Sequence, residues 1–222
     1  MGQKVNPRSL RLGYTGTWDS LWFASKDTYR KYLHEDIKIR KYLNERLKNA
    51  GISSIKIERS MKKVTVDIYA AKPGIIIGRG GEMIEVLKED LRKKFGINFE
   101  VNIKEVYKSD ADPKIVAFNI ARQIEGRFPY RRAVKMAIQK AKDAGCLGIK
   151  ICVCGRLNGV DIARSEFFKD GNIPLHTFRA DIHYAYERSN TKYGVIGIKV
   201  WVYNGMVMKS KKQSRMLVKT SA

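Results

Sequence analysis

The chain has 222 residues, enough for one large domain or for two small ones with a core each. Its 44 lysines and arginines face 22 acidic residues, a net charge of +22, and 44% of its residues are hydrophobic. A folded chain this basic repels itself unless a polyanion lies against it, and no apolar run approaches the roughly 18 residues of a membrane span, so nucleic acid is the expected partner and not a membrane.

The first residues carry no signal-peptide apolar stretch, and Asn6 stands where a myristoylation signal needs Ser or Thr, which points to a cytosolic protein. Residues 1–16 form a basic, turn-rich arm with no core of its own, carrying Lys4, Arg8 and Arg11 between Pro7, Gly13 and Gly16. Two readings fit it equally: a disordered terminus, or an arm that folds onto RNA.

From residue 28 to residue 50, Tyr29, Tyr32, Leu33, Ile39, Tyr42, Leu43 and Leu47 recur at helical spacing, with Asp27 or Thr28 as cap and Gly51 as stop. Two strands follow, 54–58 and 63–70; in the second, Val64, Val66, Ile68 and Ala70 alternate with polar residues. Pro73 opens a short apolar turn that leads into Gly78-Arg79-Gly80-Gly81. A helix over 81–95 then shows Met83, Ile84, Leu87, Leu91 and Phe95 on one face, Gly96 stops it, and a strand runs over 97–106.

A G-x-x-G loop between two helical segments resembles the backbone clamp of a KH domain, which grips about four nucleotides of single strand. Glycine suits it, because a side chain holds the phosphates away from the peptide N–H groups. A Walker loop is excluded, since Arg79 and Gly80 follow Gly78, and the dinucleotide pattern breaks at Met83.

Residues 108–112 are polar and read as a linker, and Asp112-Pro113 gives a cap followed by proline at the first helical position. Helices are expected over 113–126 and 129–144, then strands over 148–154, 162–169, 178–186 and 195–203. Phe178, Ala180, Ile182, Tyr184 and Tyr186 alternate cleanly, as do Ile196, Ile198, Val200 and Val202. The expectation is a second α+β domain, two helices on a mostly antiparallel four-stranded sheet, followed by a basic, disordered tail over 207–222.

On the helix over 129–144, at about 100° per residue, Arg131, Arg132, Lys135, Gln139 and Lys142 share an arc of about 100° and the alanines oppose them. No acidic residue lies between Phe128 and Lys142, so the stripe reads as a phosphate-binding face rather than a solvated one. Arg156, Arg164 and Arg179, near turns and strand ends, are further RNA candidates.

Cys146, Cys152 and Cys154 read as reduced thiols of a buried strand, and His34, His176 and His183 lack the spacing to complete a zinc site, so no metal or other cofactor is expected. The acidic residues form no metal-binding pair and neither His176 nor His183 has a nucleophile partner, so no catalytic residue is assigned. Alternatives are a free KH factor and a nucleic-acid lyase using lysine.

The chain resembles the bacterial small-subunit ribosomal protein S three family. The resemblance rests on Gly2-Gln3-Lys4-Val5-Asn6-Pro7 with Arg11-Leu12-Gly13, on 73–78, on Gly155-Arg156-Leu157, on Ile162-Ala163-Arg164, on 174–177, on 179–182 and on 193–201. It implies a type II KH domain over 17–107, with a three-stranded sheet and helices on one face, and a family-specific domain over 113–206. It further implies a place in the head of the small subunit on ribosomal RNA, beside S ten and S fourteen, with S four and S five around the pore where messenger RNA enters. Arg131, Arg132 and Lys135 match the basic residues that line that pore and help unwind messenger, and the arm is expected to thread into ribosomal RNA. Family loops often hold two basic residues where this chain has Arg79 and then Gly80, which implies a weaker grip on phosphate.

Overall fold

The computed structural model describes residues 4–60 and 63–207. The expected tail beyond Val207 and the basic turn residue Lys62 lie outside these. The order of elements is α1 (Pro7–Arg11), β1 (Ser20–Leu21), α2 (Lys26–Arg46), β2 (Ile52–Arg59), β3 (Val64–Ala70), α3 (Pro73–Ile77), α4 (Glu82–Phe95), β4 (Phe99–Glu105), α5 (Pro113–Glu125), α6 (Tyr130–Asp143), β5 (Gly148–Gly155), β6 (Arg164–Gly171), β7 (Ala180–Thr191) and β8 (Gly194–Met206).

The first domain is an α+β unit with sheet order β1-β2-β3-β4. Strands β2 and β3 run antiparallel, Ile57 opposite Val66, while β3 and β4 run parallel and are joined across α3 and α4. Parallel neighbours need such a crossover. Ile39, Leu43, Ile57, Ile68, Ile76, Leu87 and Leu91 close the core between helices and sheet. The expected three strands gain a fourth, the two-residue β1 parallel to β2.

The aromatic-rich stretch before α2 is fastened by buried charge. Asp36 accepts from Trp22 Nε1 at 2.8 Å, from Ser20 Oγ at 3.0 Å and from Arg59 Nε at 2.9 Å. Arg59 also pairs with Glu35 at 2.8 Å, and its guanidinium lies 4.7 Å from the Tyr32 ring. A buried carboxylate is tolerated only when its oxygens are satisfied in this way.

In the second domain the order is β6-β5-β8-β7, antiparallel throughout, with α5 and α6 on one face. Asp112 caps α5, accepting from Lys114 N at 2.9 Å and Ile115 N at 3.2 Å, as its place before Pro113 predicts. Ile120, Ile149, Ile151, Val153, Leu157, Ile198, Val200 and Val202 fill the space under the helices.

Strand β7 departs from the expected pattern. The alternating Ala180, Ile182 and Tyr184 lie on the face away from the helices, where Ala180 and Ile182 meet Tyr203, Ile173 and Leu175. Ala185 and Ser189 face the helices instead, Ser189 donating to Ala121 O at 3.0 Å. A strand with something to cover on both faces defeats a one-face reading of its alternation.

The arm does not stay separate. Asn6 caps α1, and Pro7 and Arg11 are buried against the second domain. Of the described part of the arm, residues 4–16, only Pro7 and Arg11 are buried, and Arg11 docks it on backbone carbonyls of the second domain.

Candidate nucleic-acid interface

The G-x-x-G loop is shaped by its glycines. Gly78 ends α3 at φ 74°, and a Cβ there would run into the Met83 side chain. Both conformation and space demand glycine. Gly80 at φ 61° and Gly81 at φ 86° turn the chain into α4, and nothing lies within 4 Å of where their Cβ atoms would be. The outer side of the loop is thus open backbone that a phosphate can approach, with Arg79 exposed at its tip. Ile75, Ile77, Met83 and Val86 remain exposed beside it, an apolar surface against which a base can lie. Glu82 and Glu85, in the first turn of α4, suit the helix dipole and oppose a phosphate at the same place.

Helix α6 buries Tyr130, Ala133, Val134 and Ala141 and leaves Arg131, Arg132, Lys135 and Gln139 exposed. The stripe is not free of acidic partners, contrary to the reading of the helix alone. Glu166 on β6 accepts from Arg131 Nη2 at 3.1 Å and from Tyr130 Oη at 3.0 Å, and pairs with Arg164 at 3.3 Å. Its carboxyl is held below the usual range, chiefly by the hydrogen bond from Arg131. Lys142 pairs with Asp170 at 2.6 Å. Among the described residues, Arg132 and Lys135 have no ion pair; the Arg132 guanidinium rests 5.5 Å from the Phe128 ring. These two are the uncommitted cations of the stripe.

The other sequence-selected arginines divide. Arg11 is a correction. It is 3% exposed and its guanidinium donates to Ala180 O at 2.8 Å, Pro7 O at 3.0 Å, Leu175 O at 3.1 Å and Thr177 O at 2.9 Å. With its donors turned inward it holds protein, not RNA. Arg156 staples a loop, reaching Val160 O at 2.9 Å, Tyr193 O at 3.2 Å and Asp161 at 3.0 Å. Arg8 bridges to Asp19. Arg164 shares Glu166, whereas Lys4 and Arg179 are exposed with no ion pair among the described residues. Arg131 of α6 and Arg164 meet at the Glu166 carboxylate.

Sequence reading missed Glu166, which lies 35 positions from Arg131 and becomes its neighbour only through sheet pairing. Of the cysteines, Cys152 and Cys154 lie on β5 and Cys146 in the loop before it; all three are free thiols. Burial, and then contact with Cys154, pushes the Cys152 thiol up to about 12. Among the described residues no cluster of three His, Cys, Asp or Glu is placed to hold a metal, and no helix is long and apolar enough to cross a membrane.

Residues 38–111 match the model of the KH domain, and residues 120–202 match that of the ribosomal protein S3 C-terminal domain. Proteins named small ribosomal subunit protein uS3 are similar over nearly the whole chain. That of Bacillus cytotoxicus is 52% identical over 214 residues, 96% of this chain and 97% of the relative. Those of Listeria welshimeri and Enterococcus faecalis are each 49% identical over 214 residues, 96% of this chain and 98% of theirs. With a KH loop, a basic second domain and this likeness along its length, the chain belongs to the uS3 family of small-ribosomal-subunit proteins, whose part is structural and RNA-binding rather than enzymatic.

Proposed function

We propose that this chain sits in the head of the small ribosomal subunit in the cytoplasm, holds ribosomal RNA there, and presents α6 to messenger RNA at the mouth of its channel. The observation that carries this reading is the exposed basic face of α6, on which Arg132 and Lys135 have no acidic partner among the described residues. Cations left unpaired on one helix face cost stability in isolation and gain it beside a phosphate chain. Arg131 joins them when a phosphate displaces Glu166. Lys4, Arg8, Arg156, Arg164 and Arg179 are proposed as ribosomal RNA contacts through whatever donors their protein partners leave free. The backbone of Gly78, Gly80 and Gly81, with Arg79, is proposed as a second grip on unpaired nucleotides. S ten and S fourteen are the proposed neighbours in the head, and S four and S five those at the messenger channel.

Ribosomes carrying Arg131→Ala, Arg132→Ala and Lys135→Ala together test the α6 role. They are expected to assemble normally and to slow several-fold on messengers with stable hairpins while translating unstructured ones at the usual rate. Equal slowing on both kinds of messenger refutes it.

A further inference from the structure

The face of the second sheet that points away from α5 and α6 carries a pattern none of the roles above uses. Register across the four strands brings its side chains into rows. Lys169, Lys150, Trp201 and Tyr184 form one row, Phe167, Cys152, Lys199 and Tyr186 the next, and Ser165, Cys154, Gly197 and Arg188 a third. These three rows hold four aromatic rings, no acidic residue and four cations. The acidic residues of the same strands lie outside these rows: Glu166, Asp170 and Glu187 pair across the opposite face, and Asp181 pairs with Gly205 beyond them.

Two of the rings are open to solvent. Phe167 is 62% exposed and Tyr186 44%. Trp201 is half-buried, 5.2 Å from the Tyr184 ring, and Lys150 Nζ stands 5.0 Å from the Phe167 ring and 5.3 Å from that of Trp201. At one end of the face the loop after β6 packs down, where Ile173 and Leu175 join Trp201 against Ala180, Ile182 and Tyr203. Burial, and then the charges of Lys4 and Lys169, push the Lys150 ammonium below its usual range, so positive charge is crowded here.

We propose that this outer face binds two or three unpaired nucleotides of RNA, with bases stacking on Phe167, Trp201 and Tyr186 and phosphates meeting Lys150, Lys169 and Lys199. Three strand gaps of about 4.8 Å give a platform about 15 Å wide, and four-stranded sheets of this size stack two or three bases on exposed aromatics. The charge decides for RNA over a protein: four cations without one acidic residue complement a phosphate chain, and ring faces accept any base. The site is separate from the KH loop and from α6.

Anisotropy of a fluorescein-labelled decauridylate with the full chain tests this, in parallel in the unaltered protein and in an Arg79→Asp, Gly80→Asp background. Phe167→Ala with Tyr186→Ala is expected to weaken binding at least tenfold in both backgrounds, and Phe167→Trp with Tyr186→Phe to retain it. Lys169→Gln with Lys199→Gln, which touches no ring, is expected to weaken binding and to flatten the dependence of log affinity on log salt by about 0.7 per lost phosphate contact. Should the alanine pair disturb folding by circular dichroism, the glutamine pair decides alone. Unchanged affinity in folded variants overturns the proposal, and so does a loss seen only with the KH loop intact. Unchanged RNA affinity with poorer incorporation into the small subunit would make the face a protein contact, which also overturns it.

Discussion

Arg11 shows how far a residue's surroundings can reverse its sequence reading. A basic residue in a basic arm invites assignment to RNA, yet its guanidinium ties α1 to the loop and strand around Leu175, Thr177 and Ala180. Hydrogen bonds to a charged group are worth about 1.5–3 kcal/mol, so Arg11→Met is expected to lower stability in urea by about 2–4 kcal/mol. RNA affinity of the folded variant should be unchanged; weaker RNA binding at full stability would restore the RNA role. No sequence signal marked Arg11, because three of its four acceptors are backbone carbonyls more than 160 positions away. Nearby, Asp181 and His183 pair at 3.1 Å. The hydrogen bond to His183 holds Asp181 below the usual carboxylate range, and the bond to Asp181 raises His183, with Asp112 adding to the rise and Arg8 opposing it. The carboxylate stabilises above its ordinary pKa and fails as pH falls through the depressed one. The imidazolium stabilises below its ordinary pKa and fails as pH rises through the raised one. The loss in Tm caused by Asp181→Asn should therefore be largest between about pH 4.5 and 6.5 and shrink as pH climbs beyond the raised histidine value. A loss independent of pH would contradict the pairing.

Elements with strong local grammar were legible. The cap and proline of α5, the apolar stripe of α4 and the alternation of β3 each fix an element within its own residues, and each stands where it was expected within a few positions. The loop at Gly78 was legible for the same reason. Gly78→Ala is expected to cost about 1–3 kcal/mol, from strain at positive φ and the clash with Met83. Gly80→Ala should cost less, since only its backbone conformation objects. Equal costs measured in urea would mean that Met83 yields freely. What sequence could not supply were relations between elements. The two residues of β1 carry no pattern of their own, and β7 buries side chains on both faces. Helix α6 looked free of acid because Glu166 lies on another element. Glu166→Gln frees Arg131 and Arg164, so affinity for unstructured RNA should rise several-fold at low salt, with the gain fading at high salt. No change at low salt would show that the bridge does not compete with RNA.

At the scale of the molecule, the two domains and the arm are joined by specific polar contacts. Ser53 on β2 donates to the Asp112 carboxylate that also caps α5, and Arg8 of α1 reaches Asp19 beside β1. One residue, Asp112, thus serves both the start of a helix and the seam between domains. A net charge of +22 is spread over this body, so RNA is expected to meet several faces of it and to let go only as salt screens many contacts together. Composition made the polyanion partner legible from the start, but which faces meet it emerged only from the fold. The most direct test of the central claim is sedimentation of native lysate through sucrose gradients at rising salt, with this chain followed by antibody. Comigration with the small subunit in equal stoichiometry is expected, persisting well above physiological salt. A substantial pool at the top of the gradient, or release by modest salt, would contradict it and point to a free KH factor instead.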